Sequence, residues 1–140
     1  MLVSSMSGRR DLLFIADKNS GRNFLVDTGA EVSVLPATGL DTRTASRGPN
    51  LVATNGNNIK TYGSRTVPLW VGGRRYVLKF ILARVTHPLL GADFLRAHSL
   101  MVDLKKRRLV DAETYSSVPL GVAGSAAPQL NAIRRDRGKY

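Results

Sequence analysis

Cysteine is missing from this chain altogether, and histidine occurs only twice among its 140 residues. The first absence excludes a disulfide framework, a thiol nucleophile and any thiolate-held zinc or iron–sulfur centre. The second leaves His87 and His98 as the only imidazoles, too few for a histidine-rich metal site. No run approaches the ~20 apolar residues of a membrane span. Residues 1–7 are too short and too uncharged to read as a secretory leader. Aromatics are sparse at 6%, which argues against the stacking platforms of single-strand nucleic-acid readers.

Acids are scarce as well: 10 Asp and Glu stand against 21 Lys and Arg, for a net charge of +11. That balance favours polyanions as partners. Its distribution weakens the inference, because the cations fall in short groups: Arg9-Arg10, Arg74-Arg75, Lys105-Lys106-Arg107-Arg108 and Arg134-Arg135. At least two of these groups lie in expected hairpin turns, where solvation alone accounts for them. Nucleic acid is therefore a secondary expectation, and a membrane partner is not expected.

A chain of this length fits one domain with its own core. Turn signals are closely spaced, with strand-like runs between them. The pattern predicts strands at 11–16, 24–27 and 31–35, then a polar surface loop over 36–50. Asn55-Gly56-Asn57-Asn58 between two strand runs predicts a hairpin, on the grounds that Asn and Gly both tolerate positive φ. A second hairpin is expected across Gly72-Gly73-Arg74-Arg75, and strands again at 100–104 and 109–110. One helix is expected over 91–98, with an acid near its start and Arg and His near its end, as the helix dipole prefers. From Ser116 onward the composition shifts to Ser, Pro, Gly, Ala and Val. The expected organisation is a flank over 1–8, an all-β domain with one short helix over 9–113, and a linker or disordered basic tail over 114–140.

The most informative run is Phe24-Leu25-Val26-Asp27-Thr28-Gly29-Ala30-Glu31-Val32-Ser33-Val34-Leu35. An apolar strand ends on an Asp, turns at a Gly and resumes as an alternating apolar strand. A carboxylate between two buried strands is costly unless it is bonded, paired or functional. Asp-Thr-Gly alone is a common tripeptide, and an Asx-type turn is the plainer reading. Its apolar frame and a second motif, His87-Pro88-Leu89-Leu90-Gly91-Ala92-Asp93-Phe94-Leu95, argue for more.

Together these two motifs and the intervening Asn-Gly hairpin resemble the retropepsins, the aspartic proteases of retroviruses and LTR retrotransposons. The resemblance spans about residues 9–113 and, in detail, is most like gypsy-type retrotransposon polyproteins. It implies a retropepsin-like closed barrel or sandwich with one short helix, active as a C2 homodimer. Peptide hydrolysis fits such an arrangement, since two carboxylates sharing one proton supply both base and acid. The chain offers one such carboxylate, so the second must come from another copy. By the same resemblance Asp27 is catalytic, Thr28, Gly29 and Ala30 complete the active-site loop, and no metal or cofactor is implied. Thr28 locks the two loops together, or else satisfies its own turn. Ala30 leaves room for substrate, or else only packs. Glu31 contacts substrate backbone or an Arg of the second copy, for which Arg10 sits at the expected spacing; a solvated Arg10 is the competing view.

The hairpin stands where the family has its flap, with Thr54, Asn55, Gly56, Asn57, Asn58 and Ile59 as the expected substrate contacts. Its main chain adds hydrogen bonds to an extended peptide. Ala92 departs from the family, which often places there an Arg that braces the loop. The substrate implied is an extended polypeptide, a Gag-Pol-type polyprotein, and the default location is the cytosol, including virus-like particles. The alternative is a catalytically silent retropepsin-like dimerisation or binding module, such as a host-captured remnant.

Overall fold

Short apolar runs punctuated by Gly, Asn and Asp give strands of two to eleven residues and a single helical turn and a half. The computed structural model describes residues 12–48, 50–122 and 134–135. Strands β1 (Leu13–Ala16) and β2 (Asn23–Val26) form an antiparallel hairpin. Strand β3 (Val34–Pro36) follows, then a 3-10 turn at Asp41–Arg43. Strands β4 (Leu51–Val52) and β5 (Asn58–Ile59) make the small hairpin, and β6 (Thr61–Val71) and β7 (Arg74–Ala83) the long one. After β8 (Leu89–Leu90) comes the helix α1 (Ala92–Ala97). Strands β9 (Leu100–Asp103), β10 (Arg108–Asp111), β11 (Ser117–Pro119), β12 (Gly121–Val122) and β13 (Arg134–Arg135) complete the order.

Seven strands share one sheet in the order β12-β1-β2-β8-β3-β7-β6; β11-β10-β9 and β13-β4-β5 form two smaller sheets. Strand β8 lies parallel to β2 and antiparallel to β3, while β3 runs parallel to β7. The structure is mostly β with one short helix, as expected. It departs from expectation in that no closed barrel forms among the described residues. The free edge of β6 is met by the β1–β2 turn, not by a closing strand: Lys18 N–H donates to Trp70 C=O at 3.0 Å, and Trp70 N–H donates to Asp17 Oδ1 at 2.7 Å.

Asp17 is the hub of that turn. It is only 2% exposed, and its carboxylate also accepts from Asn19 N–H, Ser20 N–H and the Ser20 hydroxyl. Burial pushes its pKa up, but the Ser20 hydroxyl and the three N–H donors outweigh that and hold it below the ordinary 3.8.

Strand β3 and its approach were expected to alternate between buried and exposed. Instead Val32, Ser33, Val34 and Leu35 are all buried, because β3 is an interior strand covered on both faces. Two apolar clusters result. One contains Phe24, Phe80, Leu69, Leu90 and Phe94; the other contains Leu25, Val32, Val34, Leu51 and Leu89. The Phe24 and Phe80 rings meet at 5.7 Å, and the His98 ring packs against Tyr76 and Phe94.

The turns also differ in detail. Gly72 and Gly73 alone make the β6–β7 turn, at φ +57° and +80°, the two-residue geometry whose twist suits a hairpin. Arg74 and Arg75, expected within that turn, are strand residues opposite Val71 and Trp70.

The stretch after residue 113, expected as a linker or tail, begins as part of the fold. Strand β11 pairs with β10 and β12 with β1, while Leu120 is buried in the larger cluster. Leu109 opposes Val118 and Arg108 donates to the Ser117 hydroxyl at 2.7 Å, so apolar and polar partners fix a segment whose composition alone suggested slack.

Candidate functional site

Strand β2 delivers Asp27 to a tight turn. Asp27 C=O accepts from Ala30 N–H at 3.1 Å, and its Oδ1 accepts from Gly29 N–H at 2.9 Å. The Asx-type turn foreseen as the plainer reading is therefore present, and it orients the carboxylate. Asp27 and Gly29 are partly exposed and Thr28 is exposed at the tip. Ala30 is fully buried and belongs to the smaller apolar cluster, so of its two readings the structure bears on packing. Glu31 is partly exposed.

The loop's main chain is pinned from behind by the second motif. Asp27 N–H donates to Leu90 C=O at 2.9 Å, Ala92 N–H to Ala30 C=O at 2.7 Å and Asp93 N–H to Glu31 C=O at 3.2 Å. Gly91 lies so close beneath the loop that a Cβ there would meet Val32 C=O at 2.7 Å and Ala30 C=O at 2.8 Å. Its backbone is extended, so the requirement is space and not a positive φ.

Two residues that carried no assigned role complete the brace. The Ser33 hydroxyl, fully buried, donates to Asp93 Oδ1 at 2.6 Å and accepts from Gly91 N–H at 2.9 Å. Asp93 Oδ2 accepts from Ser33 N–H at 3.0 Å, and Oδ1 also accepts from Phe94 N–H. Where the resembled family often has a bracing Arg at the position of Ala92, this chain reaches the same loop with the next residue along. The signal in the sequence was Ser33 itself, the one polar side chain inside Val32-Ser33-Val34-Leu35.

The expected flap is a compact hairpin. Leu51 pairs with Ile59 and Val52 with Asn58, and the ladder ends there, because Thr61 and Tyr62 are buried residues of β6. Ala53 C=O accepts from Gly56 N–H, and Ala53 N–H donates to Asn57 C=O. Only Gly56 has positive φ, at +88°; Asn55 instead accepts from Asn57 N–H through its Oδ1. The loop is thus Thr54-Asn55-Gly56 with Gly in the left-handed position, not an Asn-Gly pair with both residues there. Thr54, Asn55, Gly56, Asn57 and Asn58 are exposed, and Ile59 packs on the cluster that holds Ala30, which joins the hairpin's base to the loop. The backbone of β13 pairs with β4 on its other side.

Arg10 lies outside the described residues, as do Arg9 and the flank over 1–8. Among the described residues no cluster of His, Asp or Glu is arranged to hold a metal, and no helix is long and apolar enough to cross a membrane.

No known family profile matches the chain, and no curated protein matches it. Solved structures do. The retroviral protease-like domain of Ddi1 from Leishmania major aligns over 81% of this chain and 96% of that one, with a TM-score of 0.60 and 21% identity. The EIAV protease, solved with the inhibitor HBY-793, aligns over 73% of this chain and 100% of its own, with a TM-score of 0.48 and 26% identity. The chain has the retropepsin-like fold of a retroviral protease-like domain.

Proposed function

We propose that this protein is an aspartic endopeptidase that works as a C2 homodimer, with one Asp27 from each copy at the axis. The observation that carries the reading is the Asp27 carboxylate itself. It is partly exposed, oriented by Gly29 N–H, and set on a loop fixed by hydrogen bonds to β8 and α1. Thr28 beside it is exposed, and on this reading it meets its counterpart in the second copy.

Two carboxylates ~3 Å apart cannot both ionise, so the pair holds one proton. The ionised member takes a proton from water as the water oxygen adds to the scissile carbonyl carbon. The protonated member donates to the carbonyl oxygen. As the tetrahedral gem-diol collapses, the C–N bond breaks, the leaving nitrogen takes the proton of one carboxyl, and a gem-diol hydroxyl gives its proton to the other carboxylate, so the pair again holds one proton. The hairpin of Thr54, Asn55, Gly56, Asn57 and Asn58 closes over an extended substrate, with Glu31 at its edge. Processing of a Gag-Pol-type polyprotein of the gypsy retrotransposon kind is the biological setting this reading favours.

Cleavage of a mixed peptide library at pH ~5 to 7, over a protein dilution series, tests it. Activity lost in Asp27→Asn and falling faster than linearly on dilution supports a dimeric aspartic protease. A folded, dimeric and silent protein supports the binding module instead.

A further inference from the structure

The outer face of the β6–β7 ribbon carries an exposed aromatic among cations. Trp70, the only tryptophan, is 39% exposed there, opposite Arg75, whose guanidinium carbon lies 5.8 Å from the indole centroid. Next along the same face come the cross-strand pairs Pro68 with Val77, itself 43% exposed, and Thr66 with Lys79. Lys18 arrives from the β1–β2 turn, because its N–H is bonded to Trp70 C=O. Trp70 is thereby held at both its main-chain groups, so its ring stands on a fixed base.

Charge on this stretch is of one sign. Between Asp41 and Asp93 the chain has eight Lys and Arg and no acid at all. Two of these cations are taken up by carboxylates elsewhere, Arg65 by Asp41 and Arg74 by Asp111. The acid nearest Trp70, Asp17, is 2% exposed and spends its oxygens on inward hydrogen bonds.

We infer that this face binds single-stranded nucleic acid, with a base stacked on Trp70 and phosphates on Arg75, Lys79 and Lys18. The scarcity of aromatics argued against a stacking platform, but the fold exposes one, Trp70, among cations on a rigid ribbon, the combination that sequence-tolerant single-strand binding uses, and the overall +11 charge complements a phosphate backbone. The site does not depend on the protease reading, since Asp27 takes no part in it.

The test uses the full chain and labelled oligo(dT) of roughly 12 nucleotides at ~50 mM salt. Because Trp70 is the only indole, its emission reports stacking directly. Saturable quenching is expected, with a log–log salt slope of about −2 for three phosphate contacts. Arg75→Glu with Lys79→Glu should weaken binding about tenfold or more, Trp70→Ala likewise and Trp70→Phe less, each with an unchanged melting temperature. Asp27→Asn should bind as well as the unsubstituted protein. Absence of binding, equal affinity for blunt duplex, equal affinity for phosphatidylserine vesicles without quenching, or indifference to the charge reversal would each overturn the inference.

Discussion

The buried Ser33 hydroxyl donates to Asp93 Oδ1 at 2.6 Å across sixty positions of sequence, and in doing so ties the strand that leaves the Asp27 loop to the helix beneath it. The same hydroxyl takes the Gly91 N–H, so both of its hydrogen-bonding roles are used. Removing it orphans a buried donor and loosens a carboxylate at once.

Ser33→Ala should therefore lower stability by about 1–3 kcal/mol, and Asp93→Ala by at least as much. Asp93→Asn should cost less than Asp93→Ala, because Oδ1 can still accept from Ser33 and Phe94. Urea unfolding of the three variants checks the order; unchanged midpoints in the alanine variants refute it.

Asp27→Asn should leave stability within about 0.5 kcal/mol, since an amide oxygen accepts from Gly29 N–H as a carboxylate does. Asp27→Ala should lose more. On the proposed reading both abolish hydrolysis, so a folded Asp27→Asn protein that still cleaves peptides contradicts that reading.

Gly91→Ala is the sharpest steric test. The new Cβ would sit 2.7 and 2.8 Å from two backbone carbonyl oxygens, which no side-chain rotation relieves. A loss of about 3 kcal/mol or more is expected by thermal melting.

Acid should destabilise the protein below about pH 4. Asp111, held low by Glu113 and Thr114 N–H groups with Arg74 beside it, Asp41, held low by Thr38 and Arg65, and Asp17 all have depressed pKa values when folded. The unfolded chain then binds more protons in that range, so stability rises with pH through it and is lost as pH falls towards the folded values. A melting temperature that is flat from pH ~7 to ~5 and drops below ~4 agrees with this; a drop centred near pH 6 does not.

Truncation after Glu113 should unfold or strongly destabilise the domain, whereas truncation after Val122 removes neither β11 nor β12. Leu120→Ala alone should cost about 2–4 kcal/mol, as a buried leucine in the larger cluster.

The sequence made the Asp27 turn, the single helix and the two hairpins legible because each is announced locally, by Asp-Thr-Gly, by an acid-first apolar run and by paired glycines or Asn-Gly. What escaped it was long-range. Ser33 reads as an ordinary polar residue until Asp93 is brought to it. Val118 and Leu120 sit in a Ser-, Pro- and Gly-rich stretch, and only pairing with β10 and β1 makes them structural. The exposure of Trp70 is likewise set at long range, by the place of its strand at the edge of the sheet.

Strand β8 threads between β2 and β3, the two strands that flank Asp27 in sequence. While the chain is being made, β2 and β3 emerge early with their shared neighbour still missing. The Asp27 turn can acquire its hydrogen bonds to Leu90 and its support from Gly91 only after the chain has been extended through α1. Contacts of such long sequence separation form slowly. On the proposed reading, synthesis is thereby separated from proteolysis in time: a ribosome-bound fragment carries the reactive carboxylate well before it carries the geometry to use it.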